Sequence, residues 1–160
     1  MTTTCRVYLG LGSNLGDRLA NLQAAQDALS PQVILEAVSP IYETAPWGFA
    51  NQPAFLNQVL QAQTALSPLE LLTTLQQIET ALGRQPTFRN GPRVIDLDIL
   101  LYDDLVMDTP DLVIPHPRLA ERAFVLAPLA DLAPDLRHPI SKLTVRQLLD
   151  VVDRQGITSI

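Results

Sequence analysis

VILEAVSPIYETAPWGFANQPAFLNQVLQAQTAL, residues 33–66, is the segment from which the topology follows. Its two ends, 33–44 and 54–66, have the aliphatic and β-branched character of strands, and the stretch between them is rich in Pro, Gly and Asn. A parallel pair needs a crossover of a dozen or more residues, so two strands this close in sequence run antiparallel. Pro40 cannot donate to a ladder, so the first of them is an edge, is bulged, or breaks there. Upstream, RVYLGLG at 6–12 reads as a short buried strand running into a glycine turn, and SNLGD supplies caps for a helix over 17–29. Leu19, Leu22, Ala25 and Leu29 recur along that helix at helical spacing, and Pro31 follows its end. Downstream, Ser67 caps a second helix, Pro68 takes its first position, Glu70 completes a capping box and Gly83 ends it. A polar loop over 84–93 leads into VIDLDILLY, 94–102, another strand. The rest is broken by prolines up to Pro139, with LVIP and AFVLAPL as short apolar pieces, and a last helix spans about 144–152. Strand, helix, strand, strand, helix, strand is the split βαβ order of a ferredoxin-like α+β sandwich, which predicts an antiparallel sheet with helices packed on one face.

The composition suits one domain over 1–160, with 47% apolar residues to fill a core. A net charge of −6 gives no positive field to hold nucleic acid or an anionic membrane, so neither is an expected partner. Cys5 is the only cysteine, which leaves no internal disulfide. With no secretory pattern at the start and no long uninterrupted apolar run, the cytoplasm is the expected location. Ten of the 11 basic residues are arginines and the other is Lys142, so no Gly-Lys-Ser/Thr phosphate loop exists. Any phosphate chemistry in this chain must rest on arginine and metal.

Alternation along 94–102 places Ile95, Leu97, Ile99 and Leu101 on one face and Val94, Asp96, Asp98, Leu100 and Tyr102 on the other. Two carboxylates about 6 Å apart repel by roughly 3 kcal/mol at an effective dielectric of about 20, so a cation is expected beside them. Either a divalent metal, Mg2+ by its preference for hard oxygen, or an ion-pair network with Arg84, Arg89 or Arg93 meets that need. Guanidinium forks match phosphate oxygens, and these three arginines gather just before the acids. His116 is set between Pro115 and Pro117, and phosphate contact, metal ligation or plain surface placement all suit it. Trp47 and Phe49 fall in the candidate mobile loop 45–53. Phe55 and Phe124 serve either as core or as a stack around a flat heterocycle, whose edge Asn57 could bond. GLGSNLG misses the dinucleotide spacing by one residue and reads as a structural turn.

Four segments together, GLGSNLGD (10–17), YETAPWG with QPAFLNQV (42–59), NGPRVIDLDILLY (90–102) and IPHPRLAERAFVLAPL (114–129), resemble the 6-hydroxymethyl-7,8-dihydropterin pyrophosphokinase family. The resemblance implies transfer of pyrophosphate from ATP to the pterin hydroxymethyl group, releasing AMP, in folate synthesis. It implies that Asp96 and Asp98 hold two Mg2+ ions and that Arg84 and Arg93 join them in catalysis. It puts Gln76, Glu79, Arg84, Arg89, Arg93, Ile99, His116 and Arg122 near ATP, and Thr44, Trp47, Phe55, Asn57 and Phe124 around the pterin. A monomer acting on small molecules is expected. Asn90 stands where the family commonly has an aromatic residue, Ala45 replaces a frequent proline, and Asp111 takes a site that can be basic. A two-metal phosphohydrolase and a non-catalytic ligand-binding module are the rival readings, and neither accounts for all four segments.

Overall fold

Side-chain alternation along β1 (Cys5–Ser13) gives the sheet two different faces: Val7, Leu9 and Leu11 join one apolar core and Tyr8 joins another. The computed structural model describes residues 3–45, 51–84 and 91–160. β1 lies between β4 (Phe55–Thr64) and β5 (Asp96–Tyr102), antiparallel to both, so β4 and β5 run parallel with β1 between them. The sheet runs β5-β1-β4-β3-β8, with β2 (Val33–Val38) also paired to β4. β3 (Tyr42–Thr44) continues where β2 stops, and the break falls at Pro40. Ser39 bridges the gap, its N–H donating to Val59 O and its Oγ accepting from Val59 N–H, each at 2.9 Å.

α1 (Arg18–Leu29) starts on the side chain of Asp17, which accepts from Ala20 N–H at 3.1 Å. α2 (Pro68–Ala81) opens on the expected box, Ser67 N–H to Glu70 Oε1 and Glu70 N–H to Ser67 Oγ, and Gly83 takes the left-handed φ of +98° after its end. Leu22, Ala25 and Leu29 of α1 and Leu71, Leu75 and Ile78 of α2 fill the core on one face, as expected for the sandwich.

Helices also cover the other face, contrary to the one-sided packing that the element order predicts. There α3 (Ala123–Leu132) and α4 (Val145–Val151) bury Val125, Leu126, Leu129, Val145 and Leu148 against Tyr8, Val59, Leu100 and Leu101. AFVLAPL is therefore the body of a helix, with Pro128 inside it. A short ribbon of β6 (Met107–Asp108) and β7 (Val113–Ile114) precedes α3, and β8 (Ile157–Ser159) closes the sheet beside β3.

The alternation predicted for 94–102 holds only in part. Leu100 is an extra residue opposite the Tyr8–Leu9 step of β1. Leu100 and Leu101 therefore both enter the α3 core, while Tyr102 crosses to the α1–α2 side and donates its hydroxyl to Leu66 O at 2.7 Å.

Candidate active site

Gly10 and Gly12 are strand residues of β1, not members of a glycine turn; the turn conformation belongs to Gly16, at φ +76°. Gly10 sits opposite Asp98 on one side and Val59 on the other, and Gly12 sits between Asp96 and Asn57. With no side chains there, the α3 face of the sheet has a hollow of about 140 Å³. A Cβ on Gly12 would lie 3.3 Å from Asn57 Oδ1 and 3.7 Å from Phe55 Cδ1. Asn57 donates through Nδ2 to Thr44 Oγ1 at 2.8 Å, a buried bond that fixes its amide and joins β4 to the end of β3. Thr44, Phe55, Asn57, Arg93, Asp96, Asp98, Arg122 and Phe124 all line this hollow.

Asp96 and Asp98 share a face of β5, as alternation predicts. Arg84 donates from one guanidinium nitrogen to Asp96 Oδ1 at 3.1 Å and also to Glu79 Oε2. Glu79, only 7% exposed, accepts at 2.8 Å from Leu97 N–H through the same oxygen, so α2 fixes both Arg84 and the start of β5. Burial pushes the Glu79 carboxyl up, against the pull of the Leu97 N–H and Arg84. Asp98 is pushed up to about 7, chiefly by burial and then by Asp96, with Arg122 opposing. Burial and the neighbouring Arg118 lower Arg122, whose Nε is buried with no hydrogen-bond partner among the described residues. Its guanidinium carbon lies 5.4 Å from the centre of the Phe124 ring.

Asp98 also borders a second cavity of about 230 Å³, lined by Leu72, Leu97, Ile99, the Thr109–Val113 stretch and His116. His116 N–H donates to Leu100 O at 3.0 Å, which docks the segment after β7 onto β5. Its Nδ1 accepts from Arg118 N–H at 3.1 Å, so the neutral ring carries its proton on Nε2. Burial, reinforced by Arg122, lowers its pKa to about 4 and keeps it neutral. Of the remaining expected residues, Gln76 is exposed on α2 and lines neither cavity. Trp47, Phe49, Arg89 and Asn90 lie outside the described residues.

A family model described as 7,8-dihydro-6-hydroxymethylpterin-pyrophosphokinase (HPPK) matches residues 8–134. The chain belongs to the HPPK family. Among curated HPPK relatives, the 2-amino-4-hydroxy-6-hydroxymethyldihydropteridine pyrophosphokinase of Aquifex aeolicus is 45% identical over 141 residues, covering 88% of each chain. The enzyme of the same name from Pseudomonas aeruginosa is 52% identical over 136 residues, covering 84% of each. The match to the folic acid synthesis protein FOL1 of Dictyostelium discoideum is 44% identical and takes in 89% of this chain but 22% of that protein. A crystal structure of Plasmodium falciparum HPPK-DHPS superposes with a TM-score of 0.77 at 17% identity, covering 94% of this chain and 42% of that one. At that identity the likeness shows the fold.

Residues of the first cavity that sequence reasoning missed are Gly10 and Gly12, taken for a turn, and Val59, Leu100 and Val125, which line it as plain core residues. The signal for the glycines was present: they alternate with Leu9 and Leu11 at strand period.

Proposed function

We infer that this chain transfers the pyrophosphoryl group of ATP to the hydroxymethyl oxygen of 6-hydroxymethyl-7,8-dihydropterin, giving the pterin diphosphate and AMP, a step of folate synthesis. The observation that carries this reading is Asp98 on the wall shared by two cavities, with Asp96 beside it. One cavity offers Phe55, Phe124 and the polar Asn57–Thr44 pair to a flat heterocycle. The other offers Leu72, Ile99 and the His116 ring to a nucleotide.

The donor set fits magnesium: two carboxylates on one strand face supply hard oxygens and leave other positions to water and phosphate. Bound there, two Mg2+ ions held by Asp96 and Asp98 neutralise charge on the polyphosphate and favour the ionised alcohol. Arg84, held against Asp96 by Glu79, and Arg93, on the first cavity's wall, present guanidinium groups to phosphate oxygens, with Arg89 and Arg122 in the same role. His116 donates from Nε2 as a neutral ring, which adds a hydrogen bond without another charge. Gln76 belongs to the nucleotide side and Trp47 to the pterin side. Positioning and charge neutralisation carry phosphoryl chemistry, so no protein nucleophile is needed. The enzyme is a monomer of one domain, 1–160, working in the cytoplasm, where the thiol of Cys5 stays reduced. Among the described residues no helix is long and apolar enough to cross a membrane.

The test is product analysis after incubation with ATP, Mg2+ and the pterin alcohol. AMP formed only when the pterin is present supports the reading, whereas ADP, or AMP without pterin, overturns it in favour of a kinase or a hydrolase. Asp96→Ala is expected to lower turnover by 10³-fold or more, on the order of removing a principal electrostatic group, with an unchanged circular-dichroism spectrum. An active Asp96→Ala protein would reduce the Arg84–Asp96 contact to a structural ion pair.

A further inference from the structure

Asn14, one residue past β1, is 1% exposed and uses its whole side-chain amide. Its Oδ1 accepts from Arg93 N–H at 2.8 Å, and its own N–H donates to Arg93 O at 3.1 Å. Its Nδ2 donates to Gln52 Oε1 at 2.8 Å and to Pro53 O at 3.1 Å. One amide thus holds the two stretches of chain that lead into β4 and β5, on either side of the end of β1. Arg93 lines the first cavity itself, and Pro53 stands two residues before Phe55, which lines it too.

Local structure does not require an asparagine here. Asp17 caps α1 and Gly16 takes the positive φ, so the turn forms without the Asn14 side chain. Its requirement is chemical: an acceptor on one side and two donors on the other, in a neutral group small enough to be buried. Aspartate keeps the acceptor for Arg93 and loses both donors. Gln52 Oε1 and Pro53 O, both acceptors toward Asn14, are left facing a negative charge.

We propose that Asn14 is a positioning residue that couples the two substrate sides, so that a nucleotide ordering Arg93 also orders the approach to Phe55, and a pterin does the reverse. This rests on the pyrophosphokinase reading for the identity of the two ligands. Thermodynamic linkage makes the coupling reciprocal: each ligand tightens the other by the same factor. Arg18 Nη1 holds Ala54 O at 2.9 Å, so the entry to β4 stays anchored to the fold when Asn14 is replaced.

The experiment measures pterin binding to the whole chain, by calorimetry, with and without Mg2+ and an α,β-methylene ATP analogue that cannot transfer pyrophosphate. In the unsubstituted protein the analogue tightens pterin binding about tenfold or more, within the usual range of coupling between sites. Asn14→Ala, which breaks both arms, brings that factor close to one and weakens each ligand alone. Asn14→Asp also removes the coupling, but weakens the pterin alone and leaves nucleotide affinity within about twofold, because the Arg93 bond survives. Should either variant fail to fold, the other with Gln52→Ala carries the comparison, Gln52→Ala reducing the factor in part. An unchanged factor in the folded variants, or a factor of one in the unsubstituted protein, overturns the proposal. Protein that shows coupled binding but makes no pterin-dependent AMP overturns the pyrophosphokinase reading and upholds the coupling; protein that binds neither ligand overturns both.

Discussion

At the scale of single residues, the pocket is shaped by what two positions lack. Gly12→Ala adds one methyl group, tolerated by strand backbone but set 3.3 Å from Asn57 Oδ1 on the floor of the first cavity. The expected result is a KM for the pterin raised about tenfold, a size typical of one lost contact, with the KM for ATP within twofold; steady-state kinetics with each substrate varied in turn checks it. Asp98 yields a pH effect. An unfolded aspartate ionises near 3.9, and the folded group is held up to about 7. The charged form therefore costs stability: nothing below about pH 4, increasingly from there to 7, and fully above. In metal-free protein at pH 8, Asp98→Asn is expected to raise the thermal midpoint by roughly 3–6 °C while removing activity. At pH 4 the gain should vanish, and scanning calorimetry in EDTA at both pH values reads it. The acids are legible in the sequence because period two applies at 96 and 98. The role of Gly12 is hidden there because two close glycines after a short apolar run look like a turn, and only the pairing with β4 and β5 shows that the strand continues through them.

Among the elements, those with strong local signals are legible in the amino-acid sequence. α2 is written in its box, its first proline and its final glycine, and Ser67→Ala is expected to cost about 1 kcal/mol, lowering the thermal midpoint by roughly 2–4 °C with kcat unchanged. A fall in kcat would mean that the start of α2 controls the position of Glu79 and Arg84 more tightly than a cap should. α3 is illegible for a physical reason. Pro128 lacks an N–H and leaves the Phe124 carbonyl without its helical partner, a loss that burial of Val125, Leu126 and Leu129 against the sheet offsets. Tertiary packing, invisible to a local reading, decides that segment. β8 is three residues long, too short for a pattern, and exists because β3 offers it a free edge. The break at Pro40 follows from its missing N–H, though only the three-dimensional arrangement shows Ser39 standing in for the lost ladder bonds.

At the scale of the whole molecule, one sheet serves two cores, and neither core can be lost alone. Leu60 faces α1 and α2 while Leu126 of α3 packs on the opposite side, both fully buried. Leu60→Ala and Leu126→Ala are each expected to cost about 2–5 kcal/mol, and each should lower a single transition seen identically by circular dichroism and fluorescence in a denaturant titration. Two separated transitions in either variant would mean that the faces unfold independently. The expectation of helices on one face fails because the region that holds the second pair is broken by prolines, yet the antiparallel pairing with β4 follows from the short link within residues 33–66.

The extra residue at Leu100 shifts the phase of β5. The half before it is in phase with the chemistry, turning Asp96 and Asp98 toward the ligands; the half after it is in phase with the architecture, turning Leu101 under α3 and Tyr102 toward Leu66. Deleting Leu100 would leave a regular ladder, because Ile99 and Leu101 already stand opposite the adjacent residues Leu9 and Tyr8; the acids, Leu101 and Tyr102 would keep their sides, and what would go is the Leu100 side chain beside Gly10 and the carbonyl that docks His116 N–H. The surplus residue thus serves as a wall and an anchor, and the two halves of the strand keep their faces with or without it.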